Sequence, residues 1–243
     1  MITLKKDNKK QLDTGVFTNL QWSDDGQLFH KYRLAVTTYM VSMILRDFYC
    51  GYYSSVFHYT WFFTNWQILW ITSYNLLSLS TYRAIQDNKP VSSRHLKWQM
   101  YLQSFGFNSS FTVMTFFWLL LAPRTDKPLW SLHNLHVHCF SFLLMLADAM
   151  VTKTPVLKEH FVYTVFGGMV YTFYTFLLYQ FSVVTDVYFF LNWANPSTVF
   201  VGIGFSLFSG VAGHSLLYFL FKLRSVLHRK YAKKEALAKY ELV

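Results

Sequence analysis

Six long apolar stretches alternate with shorter polar segments along this chain of 243 residues. Each stretch has about 20 residues, the length that a helix needs to cross the roughly 30 Å hydrocarbon core of a bilayer. The pattern therefore predicts an all-α integral membrane protein, a bundle of six transmembrane helices. The predicted spans are residues 34–53, 59–80, 99–122, 131–151, 161–182 and 197–221.

Positive charge alternates between the segments that connect these spans. The termini and the loops on their side of the membrane contain 19 of the Lys and Arg residues, against two on the other side and Arg46 inside the first span. Such a bias marks the cytosolic side of a membrane protein. We therefore expect a cytosolic N-terminal arm over residues 1–33, a membrane domain over 34–221 and a basic cytosolic tail over 222–243.

Composition narrows the function classes further. Apolar residues make up 53% of the chain and charged residues only 14%, whereas about a quarter of the residues in soluble domains are charged. The net charge of +10 lies in segments that flank the spans, so we expect contact with anionic lipid headgroups and no nucleic acid partner. The tail sequence predicts an amphipathic basic helix at the inner leaflet. The expected location is multi-pass, in the endoplasmic reticulum or the plasma membrane.

Small residues recur at helical spacing in the last span. Gly202, Ser206 and Gly210 lie four positions apart, and Gly213 follows them. This spacing lets the backbones of two helices approach closely. We expect the stripe to serve packing within the molecule rather than a dimer seam.

Polar residues inside the apolar spans form two stripes. Such residues are costly in hydrocarbon, so each is a hypothesis about function. Their spacing places each set on one face of its helix, and both faces are expected to look into the bundle. The stripe of the second span comprises Thr60, Thr64, Gln67, Ile71, Tyr74, Asn75 and Ser78, and that of the fourth comprises Asn134, His138, Ser141, Met145 and Asp148.

Two members of these stripes, Thr64 and His138, lie at matched depth. Both spans enter from the exoplasmic side, and both residues lie on the order of 10 Å below that surface. A hydroxyl and an imidazole at one level suggest a nucleophile and the general base that takes its proton. The alternative is structural: a membrane threonine often bonds its own backbone, and an inward histidine often bonds a neighbouring helix.

An ester hydrolase also needs donors for the oxyanion. Asn134 is the preferred candidate because it lies one helical turn from His138, and Asn65, Trp66 and Gln67 are further candidates. Arg46 is a candidate for binding a substrate headgroup, since its guanidinium suits a carboxylate.

Asp148 is a different case from these candidates. It lies about 15 Å along the helix axis from His138 and is too far away to orient that imidazole. We expect a structural pairing of Asp148 with Lys153, Lys158 or Tyr163.

A metal site is a second chemistry to weigh. His133, His136 and His138 form an H-x-x-H-x-H cluster, but the remaining histidines are scattered singly. Membrane diiron enzymes need several such clusters, so neither a metal nor another cofactor is expected. Cys50 and Cys139 are expected to be free, buried thiols, with a disulfide as the alternative.

Two segments carry a family resemblance: FFTNWQILWITSYNLL at 62–77, and residues 135–179, which begin LHVHCFSFLLMLADAM. They resemble the rolling stone family of six-span membrane proteins, which is similar to the androgen-induced membrane hydrolases. Those hydrolases cleave fatty-acid esters of hydroxy fatty acids. The T-N-W element and the spacing from His138 to Asp148 carry the resemblance.

The resemblance implies a threonine nucleophile in the second span and a histidine base in the fourth, which match Thr64 and His138. One departure affects the expected activity. The hydrolases typically show N-H-x-x-H-T around the histidine, whereas this chain reads H-N-L-H-V-H-C, so Cys139 replaces the polar residue.

Three hypotheses follow from the sequence. The first is a threonine/histidine hydrolase of lipid esters that works within the bilayer without a cofactor. The second is a non-catalytic scaffold or receptor involved in membrane development or cell fusion, in which the polar stripes only hold helices together. The third is a small transporter, which lacks support because no inverted repeat is visible.

Overall fold

The computed structural model describes residues 14–23, 25–124, 131–185 and 187–241, and within these ranges it describes side chains from residue 16 to residue 231. This part of the chain is helical, with isolated β-bridges at Leu20 but no β-strand. A 3₁₀ turn at Thr14–Phe17 comes first. The α-helices are α1 (Gly26–Tyr49), α2 (Val56–Tyr59), α3 (Phe63–Gln86), α4 (Ser93–Phe116), α5 (Leu132–Leu135), α6 (Ser141–Val151), α7 (His160–Gln180), α8 (Thr198–Leu207) and α9 (His214–Glu241).

Wider, π-helical turns extend or join several of these helices. Phe117–Leu121 extends α4, His136–Phe140 joins α5 to α6, and Phe208–Gly213 joins α8 to α9. All six apolar stretches are largely helical, as predicted, but residues 50–53 and 60–62 of the first two predicted spans lie outside the helices. Four continuous helices of the described chain are long and apolar enough to cross a membrane: Ser93–Arg124, Leu132–Val151, His160–Gln180 and Thr198–Tyr231.

The first long helix begins earlier than predicted. Asp25 caps α1, because its carboxylate accepts hydrogen bonds from the backbone N–H groups of Gln27 and Leu28 at 2.8 Å and 3.3 Å. A carboxylate at this position satisfies donors that a helix start leaves open. Residue 33, assigned to the polar arm, is consequently part of α1. The tail is helical, as predicted, and continues α9 without a break to Glu241.

Helix α4 lies at the centre of the bundle and contacts α3, α6, α7 and α9. The larger apolar core forms around it and includes Met40 of α1, Ile71 of α3, Phe107 of α4 and Met145 of α6, each at most 2% exposed. The polar stripes of α3 and α6 face this interior, as their spacing predicted.

The outer faces of α7, α8 and α9 are apolar and uncovered. Phe166, Phe173, Phe200 and Phe219 are each more than half exposed. Large apolar side chains exposed on three helices are costly in water and mark faces that contact a membrane or a partner. Together with the four long apolar helices, they identify a membrane protein.

Asp148 is buried in an ion pair that the sequence reasoning assigned to the wrong partners. Its carboxylate lies 2.5 Å from the guanidinium of Arg33, and both side chains are at most 3% exposed. The hydroxyl groups of Tyr32 and Tyr74 donate to the same carboxylate at 3.0 Å and 2.9 Å. Helices α1, α3 and α6 are therefore joined by one charged network. The structural pairing expected for Asp148 is therefore confirmed, but its charged partner is Arg33 and not Lys153, Lys158 or Tyr163.

Arg224 closes the end of α6 near this pair. Its guanidinium is buried and donates to the carbonyl oxygens of Ala149 at 2.8 Å, Thr154 at 3.2 Å and Thr152. The last carbonyls of a helix lack partners within the helix, so a cation at this position stabilises it. The indole of Trp22 donates to the carbonyl of Met150 there as well, at 3.1 Å.

The small residues of the last span pack within the molecule, as predicted. A methyl group added at Gly210 would lie 2.2 Å from the Val165 side chain and 3.1 Å from the carbonyl of Phe161. At Gly204 the same methyl group would meet nothing within 4 Å. Gly210 and Gly204 therefore allow a matched comparison of alanine at a closely packed position and at an open one.

We expect Gly210→Ala to lower the free energy of unfolding by about 1–3 kcal/mol, because backbone atoms of α7 cannot move away cheaply. Gly204→Ala should leave it unchanged or raise it slightly, since alanine favours helix over glycine. Thermal unfolding of both purified variants in the same detergent measures the difference. Equal melting temperatures would contradict the close packing of α7 against this helix.

Candidate functional site

A cavity of about 310 Å³ lies between the start of α3 and the π-helical turn His136–Phe140. Thr64 and His138 both line it. The sequence placed these two side chains at one depth on different helices, and the structure brings them to one cavity. The other lining residues are Tyr52, Tyr53, His58, Phe62, Phe117, Leu121, His133, Val137 and Tyr188.

The hydroxyl group of Thr64 differs from those of most buried threonines in this bundle. Helix α3 begins at Phe63, so the carbonyl four positions before Thr64 lies outside the helix. Thr37, Thr72 and Thr81 instead donate to carbonyls four positions earlier, at 2.7 Å, 2.7 Å and 3.0 Å. In the described part of the chain, the Thr64 hydroxyl donates to no carbonyl. The structural alternative for Thr64, a hydrogen bond from its hydroxyl group to a carbonyl of its own helix, is therefore not present in the described chain.

His138 lies in the π-helical turn, a feature that is frequent at functional sites. Its ring stacks on Phe117, with centroids 3.6 Å apart and planes 6° from parallel. Within the described chain, its Nδ1 atom is buried without a hydrogen-bond partner, and no hydrogen bond joins it to Thr64. The ring is held by stacking and lines the cavity, and we expect Nε2 to be the nitrogen that acts there because Nδ1 is buried.

Tyr188 completes the wall beside Thr64, a position that the sequence pattern did not predict. The backbone N–H of Phe63 donates to its hydroxyl oxygen at 3.1 Å. Burial raises the pKa of the Tyr188 hydroxyl, while hydrogen bonding with Thr64 and Tyr171 opposes that rise. Tyr188 therefore fixes the start of α3 and stays protonated. Its loop, residues 183–196, carries no Lys or Arg, and no other sequence signal pointed to it.

The donor groups of Asn65, Trp66 and Gln67 are occupied by protein oxygens. The Asn65 amide donates to the carbonyl of Tyr59 at 2.7 Å, and the Trp66 indole donates to that of Thr60 at 2.7 Å. Gln67 donates to the Val137 carbonyl at 2.8 Å and to the Ser141 hydroxyl at 3.1 Å. These three side chains support the helices around the site. Their role as oxyanion donors remains a prediction.

Asn134 lies on α5, where its backbone N–H donates to the Ser131 hydroxyl at 3.2 Å. Among the described residues, those that line the cavity do not include Asn134 or Arg46. The Arg46 guanidinium lies 2.8 Å from the carboxylate of Asp47 and 3.0 Å from Nδ1 of His133. Arg46 therefore acts on the cavity only indirectly, through its contact with His133, which lines the cavity.

A small apolar void of about 20 Å³ lies behind Thr64 and His138. Most of its lining side chains are aromatic or aliphatic, and they include Phe63 of α3, Val113 and Phe116 of α4, Phe190, and Phe205 of α8. The site thus has a polar side toward the cavity and an apolar side toward the core. This division suits an amphipathic ligand.

The described residues contain no group of three or more His, Cys, Asp or Glu side chains arranged to hold a metal ion. The H-x-x-H-x-H cluster is divided instead. His133 and His138 line the cavity, whereas Nδ1 of His136 lies 3.0 Å from the Tyr39 hydroxyl at a separate groove. Cys50 and Cys139 are free, and Cys50 is exposed rather than buried.

The fold and the site define a multi-pass helical membrane protein whose cavity presents a threonine and a histidine. The chain is similar to Protein rolling stone of Drosophila melanogaster, with 26% identity over 174 residues. The match covers 67% of this chain and 62% of that relative. It supports the relationship to the rolling stone family that the motifs predicted. No family model and no solved structure matches the chain.

Proposed function

We propose that this protein hydrolyses lipid esters inside the membrane, with Thr64 as nucleophile and His138 as general base. One observation carries the proposal. The Thr64 hydroxyl is not bonded to its helix, and it shares a cavity with a histidine whose ring is held by stacking. A hydroxyl held back by its own carbonyl would be a poor nucleophile, and Thr64 is free of that constraint.

The reaction would pass through an acyl-enzyme. Thr64 Oγ1 attacks the acyl carbonyl while His138 Nε2 takes its proton, and the same proton then passes to the leaving alcohol. Water, deprotonated by His138, next attacks the acyl-threonine. The bond between the acyl carbon and Thr64 Oγ1 breaks, Oγ1 takes the proton back from His138, and the fatty acid leaves. The expected substrates are fatty-acyl esters such as those of hydroxy fatty acids, and no cofactor takes part.

The start of α3 would stabilise the oxyanion through its partial positive charge rather than through free donors, because the N–H groups of Phe63 and Asn65 are bonded to Tyr188 and to the Phe62 carbonyl. Backbone N–H groups at a helix start carry partial positive charge, and Thr64 lies in the first turn of a helix of 24 residues. The Tyr188 hydroxyl accepts from Phe63 N–H, so its own hydrogen is available to a developing oxyanion beside Thr64. We therefore add Tyr188 to the predicted donors.

The topology belongs to the same proposal. All six predicted spans would cross the bilayer, with α1 and α3 placing their polar residues inward and both termini in the cytosol. The cavity then opens in the exoplasmic half of the membrane, where a lipid ester can enter sideways from the leaflet.

Labelling with a fluorophosphonate activity probe tests the nucleophile. We expect the purified wild-type protein to be labelled, and labelling to vanish in Thr64→Ala and in His138→Phe, which keeps the stacked ring. Thr72→Ala is the matched control, since it removes a hydroxyl from the same helix that is bonded to its own carbonyl. Labelling of Thr64→Ala at the wild-type level would refute the mechanism.

A second candidate function, a non-catalytic membrane scaffold, is favoured by the Arg33–Asp148 network. That network shows that part of the polar stripes serves helix association. If the scaffold is the whole function, Thr64→Ala and His138→Phe should change expression or assembly, and no labelling of folded wild-type protein should occur.

A further inference from the structure

Two histidines on the wall of the cavity are held with their hydrogen on Nε2. The first is His133, whose Nδ1 lies 3.0 Å from the guanidinium of Arg46. A guanidinium can only donate, so Nδ1 must be the acceptor. In a neutral imidazole the other nitrogen then carries the hydrogen. The carboxylate of Asp47 lies farther from this Nδ1, at 3.5 Å, and is engaged by Arg46 at 2.8 Å.

His58 is held in the same way from a different part of the chain. The backbone N–H of Ser54 lies 3.3 Å from its Nδ1, and a backbone N–H can only donate. Its Nε2 therefore carries the hydrogen too. Neither ring has a described hydrogen-bond partner at Nε2, and both rings line the cavity that contains Thr64.

We propose that this cavity binds the anionic oxygen group of a lipid, a carboxylate or a phosphate, through the Nε2–H groups of His58 and His133. Both groups donate and neither accepts, so a ligand oxygen without hydrogens fits them better than an alcohol. Hydrogen bonds to a charged oxygen are also stronger than those to a neutral one. Arg46 acts as the positioning residue that fixes the His133 tautomer.

The surrounding charges agree with an anionic ligand. Asp47 is fully buried and paired with Arg46, so its negative charge is compensated. The ring of Tyr52 stacks on His133 with centroids 4.2 Å apart and holds the imidazole in place. The inference deepens the proposed function by describing the polar end of its substrate, and it rests on that proposal only for the cavity's role.

Binding of three C18 ligands to the protein in nanodiscs tests the site: oleate, oleyl phosphate and oleyl alcohol. None contains an acyl ester, so a protein without hydrolase activity still gives a clear result. We expect at least one of the two anions to bind roughly tenfold or more tightly than the alcohol, which corresponds to about 1.4 kcal/mol. The tighter of the two anions identifies carboxylate or phosphate as the headgroup.

Substitutions at His58 and His133 then test whether these two rings cause the preference for an anion over the alcohol. His58→Phe and His133→Phe keep the ring contacts and should each reduce anion affinity several-fold, with little effect on the alcohol. His133→Gln retains an N–H donor near the Nε2 position and should recover most of the loss. His136→Phe, three positions from His133 but outside the cavity, is the control and should bind as the wild type does.

Two results would overturn the inference. One is equal affinity of the alcohol and both anions, or no binding of any of them, in wild-type protein. The other is an unchanged preference for the anion in a folded His58→Phe/His133→Phe double variant.

Discussion

Asp148→Asn should lower the free energy of unfolding by about 3–5 kcal/mol, the loss typical when one member of a buried ion pair is removed. The substitution conserves shape but leaves the Arg33 guanidinium, fully buried, without a compensating negative charge. Two tyrosine hydroxyl groups that donate to the carboxylate also lose a charged acceptor. The measurement is thermal unfolding in detergent, where we expect a melting temperature lower by roughly 10 °C.

Asp87→Asn is the matched control for this result. The Asp87 carboxylate also lies 2.9 Å from a cation, Lys89 Nζ, but both side chains are more than half exposed. Exposed pairs contribute at most about 1 kcal/mol, so the control should unfold almost as the wild type does. A double variant, Arg33→Met with Asp148→Asn, should recover part of the lost stability because no unpaired charge remains. Similar melting temperatures for Asp148→Asn and Asp87→Asn would contradict the buried pair.

Thr64→Val should lower kcat/KM for hydrolysis of a fatty-acyl ester by at least a thousandfold. Valine has nearly the shape of threonine and lacks only the hydroxyl, so the lining of the cavity is preserved while the nucleophile is lost. Loss of a nucleophile in related mechanisms has effects of this size or larger. Thr64→Ser retains the hydroxyl and should keep activity within about tenfold of wild type.

Steady-state hydrolysis of a chromogenic long-chain ester by protein in nanodiscs measures these effects. Melting temperatures of the same samples separate catalysis from folding, and the Val and Ser variants should unfold close to the wild type. Equal activities of the Val and Ser variants would show that the hydroxyl has no chemical role. An inactive wild type would leave the scaffold as the function of this fold.

The helices and their inward faces could be predicted because both depend on local periodicity. Apolar length marked every long helix, and the four-three spacing from His138 to Asp148 identified the face that is buried. Depth along two helices was enough to place Thr64 and His138 at one cavity, since the rise per residue is fixed. Helix α1 extends eight residues before the predicted span, because Asp25 caps it and apolar length does not report a polar cap.

The partners of individual polar groups could not be predicted from the sequence. Arg33 and Asp148 are more than a hundred positions apart, and their pairing depends on how α1 packs against α6. Tyr188 contributes to the site from a loop, and a loop has no regular apolar spacing from which its position could be predicted. The tautomers of His58 and His133 depend on donors whose positions only the folded chain fixes.

Five positions separate His133 from His138, and on an uninterrupted α-helix this spacing would turn the second side chain about 140° away from the first. The wider turn at His136–Phe140 relates residues five positions apart, so it brings both rings toward one side. The site therefore depends on the number of residues in this turn as well as on their identity. Deleting Cys139, which follows His138 in this turn, would restore a regular helix while His133 and His138 stayed five positions apart, and it would turn their rings about 140° away from each other.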